Sequence, residues 1–383
     1  MKLSRLMALT GAGTALLATV LTFQACSSDE ESSGSVGGPP ARPDAPSTTS
    51  TTVKTFAIQE LLLGDAPRGG AQSTSAWKKF GYNIDGKVST KSSSDLCKLP
   101  SGASKAVQED GDTGIDNSFG ANILPIILNT AGAEGPAKIN EAIVKGDFTI
   151  QLTVKGLTDD PKQTNTGLSG YLNPAGKFDE NGGAPTFTTA DDWPVRPELL
   201  SSPSDPASSK IRFDDAYIVN GTWVSGNKSE VQISLVFSGV ALDLTVHSAV
   251  LTFDHTAPNK ADNGTVAGVL DTNELIEGLR KVAGRISTSL CSRSAFDGIA
   301  QQIRQASDIL ADGAQDPGKE CNGISVGLGF SALEIGTPTK VAALGDPTED
   351  PCKGGGGDAG SDDAGGDSGS DAGGDAASDA TTD

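Results

Sequence analysis

Histidine is nearly missing from this chain. Two in 383 residues, His247 and His255, leave little material for a His-based catalytic triad or for a zinc site. Aromatic residues are sparse at 5%, and the hydrophobic share of 36% is low for a packed protein of this length. Basic residues are outnumbered, 29 Lys and Arg against 49 Asp and Glu, for a formal net charge of −20. That balance excludes a polyanionic partner, so no nucleic acid and no electrostatic docking on anionic lipid are expected. No Cys-x-x-Cys occurs, which removes the usual redox and zinc-knuckle motifs. The remaining bias is toward glycine, with 48 residues, and much of it lies at the C-terminal end.

The ends differ from the middle. Met1 to Ala25 has the form of an export signal: Lys2 and Arg5, then an uncharged apolar run from Leu6 to Phe23, then Gln24-Ala25-Cys26. A small residue directly before a cysteine that closes such a run resembles the lipobox of bacterial lipoproteins, although Phe23 and Gln24 replace the usual residues upstream. The resemblance implies cleavage before Cys26, acylation of its thiol and new amino group, and, with Ser27 after it, transfer to the outer membrane. Several acyl chains give stable anchoring where one is marginal.

Residues 26–53 follow as a Ser-, Thr-, Pro- and Gly-rich stretch with almost no apolar side chains, which predicts a flexible tether. Residues 354–383 contain only Gly, Asp, Ala, Ser and Thr, with eight aspartates and no base, and predict a disordered acidic tail. The globular part is then a single domain over 54–353. It resembles acidic secreted lipoproteins of Gram-negative bacteria, a resemblance that implies no activity and transfers no site residue.

Within that body, residues alternate with a period of two. Phe148, Ile150, Leu152 and Val154 share one face of a strand, as do Val231, Ile233, Leu235 and Phe237; Val240, Leu242, Leu244 and Val246 follow across Ser238-Gly239 as the second arm of a hairpin. The parity shift at Leu251 and Phe253 predicts a bulge near His247-Ser248, because a slip of one residue exchanges the faces. Further strands are expected over 56–63, 82–88, 211–219, 222–224, 265–270, 324–333 and 340–344. Helices are expected after Asp271-Thr-Asn-Glu274 and after Ser294-x-x-Asp297, closed by Gly284 and Gly313, with a short third one between Pro136 and Gly146. The fold class is therefore mainly β: an antiparallel β-sandwich-like body with a two-helix segment near the C-terminus, flanked by disordered ends.

Cys97, Cys291, Cys321 and Cys352 form an even set in an exported chain and predict two disulfides. Three connectivities are open. The helix and return loop between Cys291 and Cys321 favour that pair, and a hairpin between Cys321 and Cys352 is the rival.

Motifs that carry chemistry fail on context. Gly323-Ile-Ser325-Val-Gly327 fits the nucleophile-elbow pattern, but a strand follows it and no histidine comes later. Ser75-Ala-Trp-Lys78 lacks the companion motifs of penicillin-binding enzymes. Asp112-Thr-Gly114 has no apolar strand before it. The stretch from Glu109 to Ser118 concentrates carboxylates and an amide among glycines, so Asp110, Asp112, Asp116 and Asn117 are candidate calcium ligands, against the alternative of an acidic surface loop; the spacing is not that of an EF-hand. His247 and His255 are expected to line the bulge. Of the three tryptophans, Trp193 in a Pro-rich loop is expected to be exposed, as a platform for sugar, and Trp223 to be in the core. The expected function is a lipid-anchored envelope protein at the outer membrane, on its periplasmic or surface face, with a non-catalytic domain that binds an unidentified glycan or protein. The alternatives are a surface hydrolase acting on glycan or peptide through carboxylates, with or without calcium, and a purely structural envelope component.

Overall fold

Nine strands, all paired antiparallel, make one sheet: β1 (Val53–Leu62), β2 (Thr149–Lys155), β3 (Asn165–Ala175), β4 (Ile211–Val219), β5 (Thr222–Val224), β6 (Ser229–Phe237), β7 (Val240–Ala257), β8 (Lys260–Asp271) and β9 (Gly323–Ile335). They belong to a computed structural model that describes residues 36–131, 135–237, 240–343 and 352. The signal segment 1–25, Cys26, the start of the tether and the acidic tail 354–383 lie outside the described residues. Among the described residues no helix is long and apolar enough to cross a membrane.

The sheet runs β5-β4-β3-β2-β1-β9-β8-β7-β6, and β5 also pairs with β7. That last pairing closes a ring of eight strands, so the expected sandwich is corrected to a barrel. The cause lies in β7. Its 18 residues pair with β6 through one half, and the other half reaches β5 through Trp223↔Phe253. β1 meanwhile pairs on both sides, with β2 and with β9. Closure joins the strands into one continuous ring instead of two facing sheets, with β6 attached beyond it through β7.

Alternation places Phe56, Leu152, Val154, Leu172, Val266 and Leu328 in one buried cluster inside the barrel. An eight-stranded barrel has room for side chains to fill it. Trp223 stacks on Phe253 with 5.3 Å between ring centroids, and Phe56 and Phe213 pack against that pair. The bulge expected at His247-Ser248 is present: register shifts between His247 and Val250, and Ser248 has φ 50°. β3 was not expected, whereas residues 82–88 and 340–343 form no strand; in the latter only Val341 makes an isolated bridge, to Val195, and Leu344 lies outside the described residues.

Four α-helices accompany the barrel: α1 (Leu124–Ala131), α2 (Gly135–Lys145), α3 (Thr272–Ile286) and α4 (Arg293–Gln305). α2 packs against β1, within the ring, and against β6, the strand attached beyond it. Its Asn140 accepts from Leu61 N (2.7 Å) and donates to Leu61 O (2.9 Å). Asp271 caps α3 through Asn273 N and Glu274 N. α4 is capped by Ser292 rather than Ser294, and stops at Gln305, before Gly313.

The strands' outer faces are covered too. Residues 36–52, expected within the tether, lie along the barrel. Asn83 N donates to Gly37 O (2.9 Å), Arg42 pairs with Asp215 (2.7 Å), and Thr48 N donates to Thr166 O (2.8 Å). Four prolines in this strap (Pro39, Pro40, Pro43 and Pro46) restrict its unfolded ensemble and so lower the entropic cost of fixing it. Residues 64–118 and 176–210 complete this coat. The disulfides are Cys97–Cys321 and Cys291–Cys352, which is neither favoured pairing. Lys98 and Glu320 form a bridge that brings Cys97 beside Cys321. Gly284 lies inside α3 and makes room for the second bond: a Cβ there would stand 2.3 Å from Cys352 Sγ and 3.0 Å from Cys291 Sγ.

Candidate functional site

The groove that stands out lies in the coat. A 3₁₀ turn, Ala76–Lys79, presents Trp77, half-buried, between two glycines. Gly64 (φ 99°) has no room for a side chain strain-free: its Cβ would be 3.3 Å from Trp77 Cα and Cβ. At Gly120 a Cβ would be 2.7 Å from Trp77 Cβ. Gly120 belongs to a single π-helical turn, Phe119–Ile123, that leads into α1; such turns recur at functional sites because they re-aim the residues around them. Together these segments enclose a groove of about 430 Å³. Its lining combines apolar Trp77, Leu124, Pro125 and Leu128 with polar Asp65, Gln72, Ser73 and Thr74. Lys78 Nζ stands 5.5 Å from the Trp77 ring centroid, at the same turn.

Asn117 holds the groove in place. Its Nδ2 lies within 3.2 Å of Trp77 O, 3.1 Å of Phe80 O and 3.0 Å of Gly327 O, and its Oδ1 accepts from Gly120 N (2.9 Å) and Gly327 N (3.0 Å). One buried amide thus ties the Trp77 turn, the π-turn and β9 together. The other expected calcium ligands take different places. Asp112 is exposed, and Asp110 and Asp116 lie side by side. Asp116 Oδ2 accepts from Ile84 N (2.6 Å) and Asp85 N (3.3 Å), and Asp110 accepts from Ser89 N. Among the described residues no group of three or more His, Cys, Asp or Glu side chains is placed to hold a metal ion.

Burial raises the proton affinity of this acidic pair. Desolvation pushes Asp116 up to about 9 and Asp110 up to about 7, and the nearby charge of Asp85 adds to both. Asp308 is also pushed up by desolvation, to about 7, against two hydrogen bonds from Ser325 (2.9 Å from N, 2.5 Å from Oγ). Ser325 is wholly buried, and its Oγ also accepts from Ser118 N (2.8 Å). It is a structural link between β9 and the coat.

The tryptophan expectation is reversed in part. Trp193 is 0% exposed, donates to Gly176 O (2.7 Å) and meets Phe178 and Phe187 edge-on. Trp223 is in the core as expected. Trp77 was passed over because its neighbours are small and polar; the glycines at 64 and 120, far apart in sequence, carried no signal of meeting there.

A second, charged groove of about 510 Å³ lies at the β7 bulge. His247 sits in it between two carboxylates, Nε2 at 2.9 Å from Glu274 and Nδ1 at 3.4 Å from Glu230. His255 is elsewhere, buried beside Phe56, with its ring nitrogens facing the carbonyls of Lys260 (3.2 Å) and Thr158 (2.9 Å).

The chain matches no known protein family, and no curated protein and no solved structure is similar to it. The site has to be read from its own geometry.

Proposed function

We propose that this is a lipid-anchored cell-envelope protein, held at the outer membrane through acylated Cys26, whose barrel displays a non-catalytic binding or adhesion surface centred on the Trp77 groove. The ligand class is envelope glycan or protein. One observation carries the reading: a half-exposed indole, fixed by two glycines and a five-contact asparagine, at an amphipathic groove of a size typical of ligand sites, about 300–1,000 Å³. The signal ending at Cys26 and the two disulfides support an exported, oxidising setting. The purified chain is expected to retain a component of an envelope-fragment array without releasing products, and Trp77→Ala is expected to lose it. Equal retention by that variant would remove the groove from the account. For the anchor, Cys26→Ser should release the protein from membranes, and unchanged fractionation would refute lipidation.

The hydrolase reading keeps one supporting observation, His247 held between Glu230 and Glu274 in an open groove. Product release from glycan or peptide that Glu274→Gln abolishes would put it first.

A further inference from the structure

We infer that the Trp77 groove takes a neutral N-acetylated oligosaccharide; this rests on the binding reading above and narrows its ligand. The lining of the groove mixes apolar and polar side chains, and a pyranose ring offers both kinds of surface. Its axial C–H face is apolar and matches an indole, while its equatorial hydroxyls both donate and accept. Besides Trp77 the groove is lined by Asp65, Gln72, Ser73 and Thr74, a carboxylate, an amide and two hydroxyls. The carboxylate accepts from hydroxyls, and the amide and hydroxyl groups both donate and accept. An extended peptide would instead need a row of backbone partners, as at a sheet edge, and none of the residues lining this groove belongs to a strand.

Charge narrows the class. Asp65 lies on the groove and the chain as a whole carries −20, a field that exceeds the single Lys78 charge beside Trp77 and disfavours a uronate- or phosphate-bearing chain. Leu124, Pro125 and Leu128 form an apolar patch that a bare glucan, hydroxylated all round, would leave in contact with its hydroxyls. The methyl of an acetamido group suits that patch, and its carbonyl and N–H have polar partners available in the same lining, Asp65, Gln72, Ser73 and Thr74.

The molecule supplies its own reporter. Trp193 and Trp223 are each 0% exposed, so acrylamide quenching of the full chain reads Trp77. The N-acetylglucosamine tetramer chitotetraose should shield Trp77 from quenching. Cellotetraose, which lacks the acetamides, should bind about tenfold more weakly, the scale of one methyl in an apolar pocket. In calorimetry, Trp77→Ala should lose chitotetraose and Trp77→Phe, which keeps a ring, should retain weakened binding. The unchanged emission of the two buried tryptophans verifies that both variants fold. Absence of any effect of chitotetraose on Trp77, or binding of chitotetraose that survives in calorimetry of Trp77→Ala, overturns the saccharide inference. If an envelope peptide mixture shields Trp77 where chitotetraose does not, the groove remains a binding site for another ligand class. If no envelope fraction shields it, both readings fall.

Discussion

The inner wall of the barrel and the coat around it are built on different physics. Inside, strand alternation delivers Phe56, Trp223, Phe253 and Leu328 to a common apolar cluster, and stability comes from burial. Outside, the coat is held by backbone hydrogen bonds, single amides such as Asn117, ion pairs such as Arg42 with Asp215, and the Cys97–Cys321 disulfide. Its buried side chains include Asp110 and Asp116, groups that a core excludes unless they keep a proton. The barrel is a scaffold, and the Trp77 and His247 grooves lie at its surface, one between the coat and α1 and one at the β7 bulge.

This contrast can be broken most sharply by paired truncations. Phe253→Ala, in the stacked interior, should cost about 3–5 kcal/mol. Trp77→Ala, in the coat, should cost about 1 kcal/mol or less while removing ligand binding. Chemical denaturation of both variants measures this, and comparable losses would mean that Trp77 belongs to the core.

Disulfides come next. Replacing Cys97 and Cys321 by serine should cost about 2–5 kcal/mol, because the bond closes a very long loop and ties the coat to the start of β9. Gly284→Ala places a methyl where the other bond lies, so thiol titration under denaturing conditions should find Cys291 and Cys352 free in that variant. A fully oxidised product would refute the assigned seat of that bond.

The buried acids make a pH prediction of intermediate size. Their folded pKa values, about 7 and about 9, lie above the ordinary carboxyl value near ~4. Between ~4 and 9 the folded state therefore binds more protons than the unfolded state, and stability falls as pH rises. At the acid end, carboxylates whose affinity is lowered by partners, such as Asp192 with Thr339 and Lys340, lose their contribution as pH falls. Melting temperature should thus be highest in mildly acidic buffer and drop toward pH 9. Asp116→Asn should flatten that drop; a wild-type curve that rises from pH 6 to 9 would contradict the buried pair. Smallest of all, His247→Gln should change stability by less than about 1 kcal/mol, since its carboxylate partners are exposed.

What the sequence made legible follows the same division. The alternating strands β2, β4, β6 and β9 and the capped helices were readable because period and capping are local signals. β3 alternates as well, through Leu168, Gly170, Leu172 and Pro174, but the inward positions include a glycine and a proline. Gly170 is small because Trp223 lies against it, 3.3 Å from where a Cβ would be. Closure into a barrel depends on Trp223 meeting Phe253, thirty residues on, which no local pattern encodes. The coat was the least readable part. Its residues have turn and loop compositions whichever way they pack, so nothing local marked the strap 36–52 as packed, Trp193 read as exposed, and the bracing hydrogen bonds of Asn117 carried no signal.

Amide hydrogen exchange of the full chain with and without chitotetraose tests the central claim most directly, because it maps the occupied surface without presupposing it. Protection concentrated in residues 64–78 and 117–128, with the barrel strands unchanged, is the predicted result. Protection confined to the barrel interior or to the His247 groove would contradict a binding surface carried by the coat.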